Sequence, residues 1–363
     1  MNMKIRSCIS RSIVVLIVDM SIVEVAKLAG VSHATVSRVI NNRPGVSPEC
    51  VQLVRQAMQN IGYTPSGRGR PVNAQPRVGT IALLMIGADL TLMLAPVAGA
   101  VLHAVEDTLA DKGFNLILGK LNESGRLPPS VANGRVDGLL LYGYPPPRIH
   151  MSRLSKFPCV WLLSARSPRG YWGDRIEPDN ESIGRIAAEH LIAQGHKHIA
   201  MLNLSPDHMG YEGRTRAFLD TADSHGIQAR ELVDGKIESA MPFTAEFDEL
   251  QVKQIVARFM AMPTRPTGLF VPRDSLTVMV YHELRAQGLE PGRDVEIVSC
   301  NNEPVLSGLD PRPATIDLRP EVIGRQAVDQ LSIRIQKPND PVSVVSTVQP
   351  RLVVGDTTSV IQM

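Results

Sequence analysis

The chain has 363 residues, 44% of them hydrophobic and 20% charged, a composition that fits folded multi-domain proteins and excludes fibres and disordered chains. The formal net charge is +2, yet residues 20–77 alone carry about +5 and everything from residue 78 onward about −5. Such a split points to a small basic region that meets a polyanion and a larger body that does not. Cys8, Cys50, Cys159 and Cys300 have neither disulfide-framework nor metal spacing and read as reduced thiols.

Residues 13–18 form an apolar run behind Lys4, Arg6 and Arg11. The run is too short for a signal-peptide core and lacks a small-residue cleavage site. Residues 1–19 are therefore read as a leader, with Met20 as an alternative initiator, and no stretch reaches the roughly 20 apolar residues that span a bilayer. After Ser21 the pattern turns helical: Ile22, Val25, Ala26 and Ala29 share one face, and Gly30 stops the helix. Ser32 caps a second helix whose apolar positions are Val36, Val39 and Ile40. The Gly-Val turn between them predicts a helix-turn-helix, whose second helix enters the major groove. Ser47, with Pro48 behind it, opens a third helix with Val51, Val54, Ala57, Met58 and Ile61 inward and Gly62 at its end. Residues 20–65 are one DNA-binding unit on this reading.

Residues 66–77 are small, basic and rich in Gly and Pro, the character of a linker. Beyond them apolar strands at 78–86, 115–118, 136–142, 159–163, 199–203, 268–271 and 296–300 alternate with helices near 95–112, 180–194, 213–224, 251–261 and 275–286. Strand-helix-strand at this spacing predicts a body over 78–363 of two parallel, doubly wound α/β sheets.

At this point the chain resembles the lactose/galactose repressor (LacI/GalR) family. VEVAKLAGVSHATVSRVINN resembles that family's DNA-binding signature, and VDGLLLYG, EPDNESIGRIAAEHLIAQGHKHIAML, GRTRAFLDTA, PATIDLRPEVIGRQAV and PRLVVGDTT resemble pieces of its body. The resemblance implies an all-α head and a two-lobed body of the periplasmic-binding-protein type, with the ligand between the lobes. It also matches His33, Ala34 and Arg38 to base-reading positions. An arginine there suits guanine O6 and N7, with a phosphate or Glu49 as its other possible partner. Ser32, Thr35, Ser37, Asn41 and Ser47 have short polar groups suited to phosphate oxygens, though Ser32 and Ser47 also serve as helix caps.

The sequence departs from the family in two places. The resemblance implies a leucine-bearing hinge helix at the linker, but Ser66-Gly67-Arg68-Gly69-Arg70-Pro71 has two glycines, each costing about 1 kcal/mol in a helix, and a proline. Arg68 and Arg70 on that backbone suit a narrow minor groove, or else a flexible tether on phosphates. In the effector cleft, positions where the family carries an aspartate, an arginine, an Asn-Asp pair and an acidic pair read Ser164, Gly210, Arg273-Asp274 and Asn301-Asn302. Fewer carboxylates mean fewer acceptors for sugar hydroxyls. Arg273 suits an anionic ligand or a salt bridge with Asp274.

His196 and His198 lack further ligands for a metal, and no nucleophile elbow, P-loop or carboxylate pair supports catalysis. The expectation is a cytoplasmic homodimeric regulator without cofactor, not membrane-bound, that binds a double-stranded operator and answers a sugar-like or anionic small molecule. The tail has no leucine heptad of the kind that builds tetramers. The rival, a solute-binding protein with no DNA role, would have a secretion signal and no helical head.

Overall fold

In a computed structural model the described residues are 22–40, 44–60, 78–87, 96–121, 126–146, 148–164, 170–204, 208–233 and 245–356. The chain divides at Pro76/Arg77 into two compact units. The first has α1 (Ile22–Ala29), α2 (His33–Ile40) and α3 (Pro48–Asn60). Their core is Val25, Ala26, Ala29, Val36, Val39, Val54 and Ala57, so the apolar stripes read from the sequence do meet. The linker, with Arg68 and Arg70, lies outside the described residues, as do Asn41 and Gly62.

The second unit runs β1 (Thr80–Ile86), α4 (Pro96–Asp111), β2 (Asn115–Leu121), α5 (Pro129–Ala132), β3 (Gly138–Gly143), α6 (Arg148–Leu154), β4 (Cys159–Leu162) and β5 (Asp174–Pro178). It continues through α7 (Asn180–Ala193), β6 (His198–Asn203), α8 (Met209–Ser224), β7 (Gln228–Val233), α9 (Ala245–Met260), β8 (Gly268–Phe270), α10 (Asp274–Ala286) and β9 (Glu296–Cys300). The last elements are β10 (Ala314–Asp317), α11 (Pro320–Gln336), β11 (Val345–Val348) and β12 (Arg351–Val353).

Two six-stranded sheets result, ordered β11-β5-β4-β3-β1-β2 and β12-β10-β9-β8-β6-β7. Alternation dictates their layers. Ile81, Leu83 and Met85 of β1 face α4 and α11, while Ala82, Leu84 and Ile86 face the layer that holds Trp161. Likewise Ala200 and Leu202 of β6 pack towards α9 and α10, and Ile199 and Met201 towards α7 and α8. The sheets are parallel except for one edge: β12 runs antiparallel to β10, because it returns directly from the first sheet without a helix.

Each lobe needs one glycine where two helices touch. A Cβ at Gly184 of α7 would lie 2.0 Å from the Arg214 carbonyl oxygen, and one at Gly324 of α11 would lie 2.7 Å from the Val101 oxygen of α4. The chain passes between lobes three times: after β5, after β10 and between β11 and β12. Two aspartates brace these crossings. Asp179 caps α7 through the Ser182 N–H at 3.0 Å and accepts from Gln349 in the third crossing. Asp317 accepts from Arg319 N–H at 2.8 Å and from Arg351 Nε at 2.9 Å. Among the described residues no helix is long and apolar enough to cross a membrane.

Candidate DNA-reading face and effector cleft

In the head, α1 ends where Gly30 takes φ +64° and Val31 N–H returns to the Ala26 carbonyl at 3.1 Å, freeing the chain to turn at once into α2. Ser32 Oγ accepts the Thr35 N–H at 3.1 Å and caps α2. With Val36 and Val39 turned inward, the 100° step of a helix leaves His33, Ser37, Ala34 and Arg38 on one contiguous band. His33, Ala34 and Arg38 are exposed, and Thr35 and Ser37 are half-buried. Ser47 is exposed and accepts the Cys50 N–H at 3.3 Å. The Arg38 guanidinium lies 3.9 Å from where a Cβ would stand on Gly45, on the turn before α3.

In parallel α/β sheets a ligand crevice forms at the carboxyl ends of the strands. On the first lobe β4 ends there in Leu163, whose φ of 49° is rare for leucine, and in Ser164, which is 8% exposed. The Ser164 hydroxyl is shielded and has no hydrogen-bond partner among the described residues. On the second lobe the sequence positions Gly210, Arg273, Asp274 and Asn301 reach the same edge, but their roles differ from those expected.

Gly210 leaves room rather than contacts: a Cβ there would lie 3.1 Å from Asn180 Oδ1. One turn on, Arg214 carries a buried guanidinium that the sequence reading did not single out. It is 5% exposed, donating from Nε to Asn180 Oδ1 and from a terminal nitrogen to the Pro272 carbonyl, both at 2.9 Å. The Tyr211 ring lies beneath it at 5.4 Å. Among the described residues no carboxylate pairs with Arg214.

Arg273 pairs with Asp248 of α9, not with its neighbour Asp274. Its side chain is extended from the start of α10 towards α9, so its charge is already balanced. Burial raises the Asp248 carboxyl above the usual carboxylate range despite that pairing.

Asp274 is fully buried and committed inside the lobe: it accepts from Ser299, from Thr315 at 3.0 Å and from the Glu303 backbone N–H. Burial among these neutral donors pushes its carboxyl up to about 7. Its task is to tie the loop after β9 to α10 rather than to offer oxygens to a ligand. Asn301, at φ 117°, begins that loop and donates to Glu303 Oε1 at 2.9 Å. Burial also raises Glu303.

As for metals, His196 is buried with Nδ1 on Thr267 at 2.8 Å. Among the described residues only His103, Glu106 and Asp107 bring three ligand atoms within 4.8 Å of one another, and all three are exposed on α4.

Two family models match the chain: that of the bacterial regulatory proteins of the lacI family over residues 21–66, and that of a periplasmic binding protein-like domain over residues 188–358. The ribose operon repressor of Escherichia coli (strain K12) is 28% identical, over 87% of this chain and 93% of its own. The HTH-type transcriptional repressor PurR of Aliivibrio fischeri (strain MJ11) is also 28% identical, over 92% of this chain and 96% of its own. A lac repressor dimer bound to operator and an anti-inducer has the same fold, with a TM-score of 0.62 and 21% identity over 93% of this chain and 99% of its own.

Proposed function

We propose, from the premise that this chain belongs to the lacI family of bacterial regulatory proteins, that it is a transcriptional repressor whose hold on its operator is set by a small molecule bound between the lobes. The observation that carries this is the polar band on α2: a capped helix, packed on one side, with His33, Ala34 and Arg38 displayed on the other. On this reading those three touch base edges, and Ser32, Thr35, Ser37, Asn41 and Ser47 hold phosphates. One such helix reads only a few base pairs, so two copies reading a two-fold operator is the arrangement that gives useful specificity. Arg68 and Arg70 then enter the adjacent minor groove. The relatives are named as repressors, and the site chemistry is that of binding: we assign no reaction to the chain, and place its work in the cytoplasm, where the operator is.

For the effector, the support comes from the unpartnered Ser164 hydroxyl on one lobe and, on the other, the Arg214 guanidinium, whose two hydrogen bonds go to neutral acceptors and leave its charge without a carboxylate among the described residues. They suit a ligand rich in oxygen acceptors, a carboxylated or hydroxylated metabolite. The balanced charge of Arg273 makes it a lesser partner than its sequence position suggests.

The test is Arg38→Ala in the full chain, titrated on the selected operator and on random DNA. Operator affinity should fall by about 1–3 kcal/mol while affinity for random DNA changes far less. Equal losses on both would reduce Arg38 to a phosphate contact.

A further inference from the structure

The loop that returns from β9 to β10 forms a half-open pocket of about 160 Å³, lined by Asn302, Glu303, Pro304, Leu306, Ser307, Arg312 and Thr315, of which Asn302, Pro304, Ser307 and Arg312 are exposed. Of the cleft positions only Asn302 is among its walls; Ser164, Gly210, Arg214, Arg273, Asp274 and Asn301 are not. An engineered cavity of about 150 Å³ holds one benzene molecule, so this space admits a ligand of about six to eight non-hydrogen atoms.

Most of its polar groups are already used. Thr315 Oγ1 donates to Asp274 and accepts the Asn302 N–H at 3.2 Å, and Ser307 donates to the Pro304 carbonyl at 2.7 Å. Two charged groups of opposite sign remain with donor or acceptor capacity, although the nearby Arg273 guanidinium already favours the charged form of Glu303. Glu303 is 8% exposed; Oε1 accepts from Asn301, while Oε2 has no hydrogen-bond partner among the described residues. Arg312 has its backbone pinned, N–H to Asp356 at 3.2 Å and carbonyl against Gly355, where a Cβ would approach to 2.3 Å. One terminal guanidinium nitrogen donates to the Val354 carbonyl at 3.1 Å, and among the described residues no carboxylate side chain takes the rest of the fork.

A carboxylate withdrawn from water needs a cation or strong donors, and a guanidinium fork favours a planar carboxylate. A ligand answering both in so small a space carries an ammonium and a carboxylate a few bonds apart. We propose that this cavity binds a small free α-amino acid, its ammonium on Glu303 and its carboxylate on Arg312. The same loop begins with Asn301 and is tied to α10 through Asp274, so occupancy stiffens one wall of the effector cleft. The amino acid is a second ligand, beside the effector of the cleft.

The experiment uses the full chain, with free α-amino acids tested one at a time at millimolar concentration, and ethylamine and propionate as single-charge controls. Melting temperature is the screen and calorimetry gives the affinity. At least one small amino acid should raise the melting temperature, and neither control should. Glu303→Gln and Arg312→Ala should each weaken binding tenfold or more, and Arg312 is exposed enough that its variant keeps the fold. No shift and no heat with any amino acid would overturn the proposal. So would a shift that survives both variants but disappears in Arg214→Ala, since the amino acid would then occupy the cleft.

Discussion

Each lobe buries one aspartate completely, and the two are held in opposite ways. Asp174, at the start of β5 in the first lobe, receives Arg334 of α11 through two nitrogens, Gln330 at 2.7 Å and the Val344 N–H at 2.9 Å. Burial alone would raise its carboxyl, but these bonds, led by that from Arg334, outweigh it and hold the group below the usual range. Asp274 in the second lobe has no cation among its partners, only two hydroxyls and an N–H, and burial raises it to about 7. The first arrangement is a staple: it fixes α11 and the strand after it to the sheet in one charge state. The second sits beneath the loop that borders the cleft, where two charge states are close in energy at neutral pH.

Breaking the staple should have the largest effect. Arg334→Ala leaves a buried carboxylate without its cation, and should cost about 3–5 kcal/mol in urea unfolding of the full chain. A loss under about 1 kcal/mol would mean that Gln330 and the Val344 N–H suffice.

The pH behaviour sharpens the comparison. A folded value near 7 against about 3.9 unfolded means that Asp274 contributes stability below pH 4, and that this is lost as pH rises through 7. The difference is about 4 kcal/mol across that window. Asp274→Asn should remove this dependence, leaving stability close to the parent's below pH 4 and above it at neutral pH, since the amide cannot ionise yet can still accept from the Glu303 N–H and face the two hydroxyls. Stability measured at several pH values checks it; an unchanged slope between pH 4 and 7 would show that Asp274 is ionised throughout.

His196 works against that trend in the same lobe. Burial, with a smaller contribution from His190, lowers it to about 4. It therefore contributes stability above its unfolded value near 6.5, and this is lost as pH falls from there towards 4, a change of about 3 kcal/mol. His196→Gln should make the second lobe gain stability on acidification, the Asp274 trend unmasked. A profile identical to that of the parent would contradict the assignment.

The same contrast explains what could be read from the sequence. The head was legible almost residue by residue, because its signals are local: Gly30 at positive φ, Ser32 and Ser47 as caps, and apolar residues at helical spacing. The strands β1, β3, β4, β6, β8 and β9 were legible as apolar runs, whereas β10, the short ATID inside the second sheet, was not. The edge strands β7, β11 and β12 were not, since QARELV, VSTV and RLV are half-exposed and owe their pairing to distant partners. β5, read as DRIEP, hides a buried ion pair that only α11 completes. Near the cleft, Gly210 stood out in the sequence while the buried Arg214 one turn later did not, because its partners Asn180 and Pro272 are distant in the chain. Nothing local could reveal that Arg273 answers Asp248, 25 residues away, or that Asp274 is enclosed by residues from three elements.

The central claim is that two copies of α2 read DNA in sequence. It is tested most directly by repeated selection of random duplexes on the full chain, followed by sequencing. If two copies of α2 read the DNA, an inverted repeat whose half-sites are about one helical turn apart is enriched, and the enriched bases are no longer specified when Arg38→Ala is used. Enrichment of no sequence, or of one asymmetric site indifferent to Arg38, would contradict it.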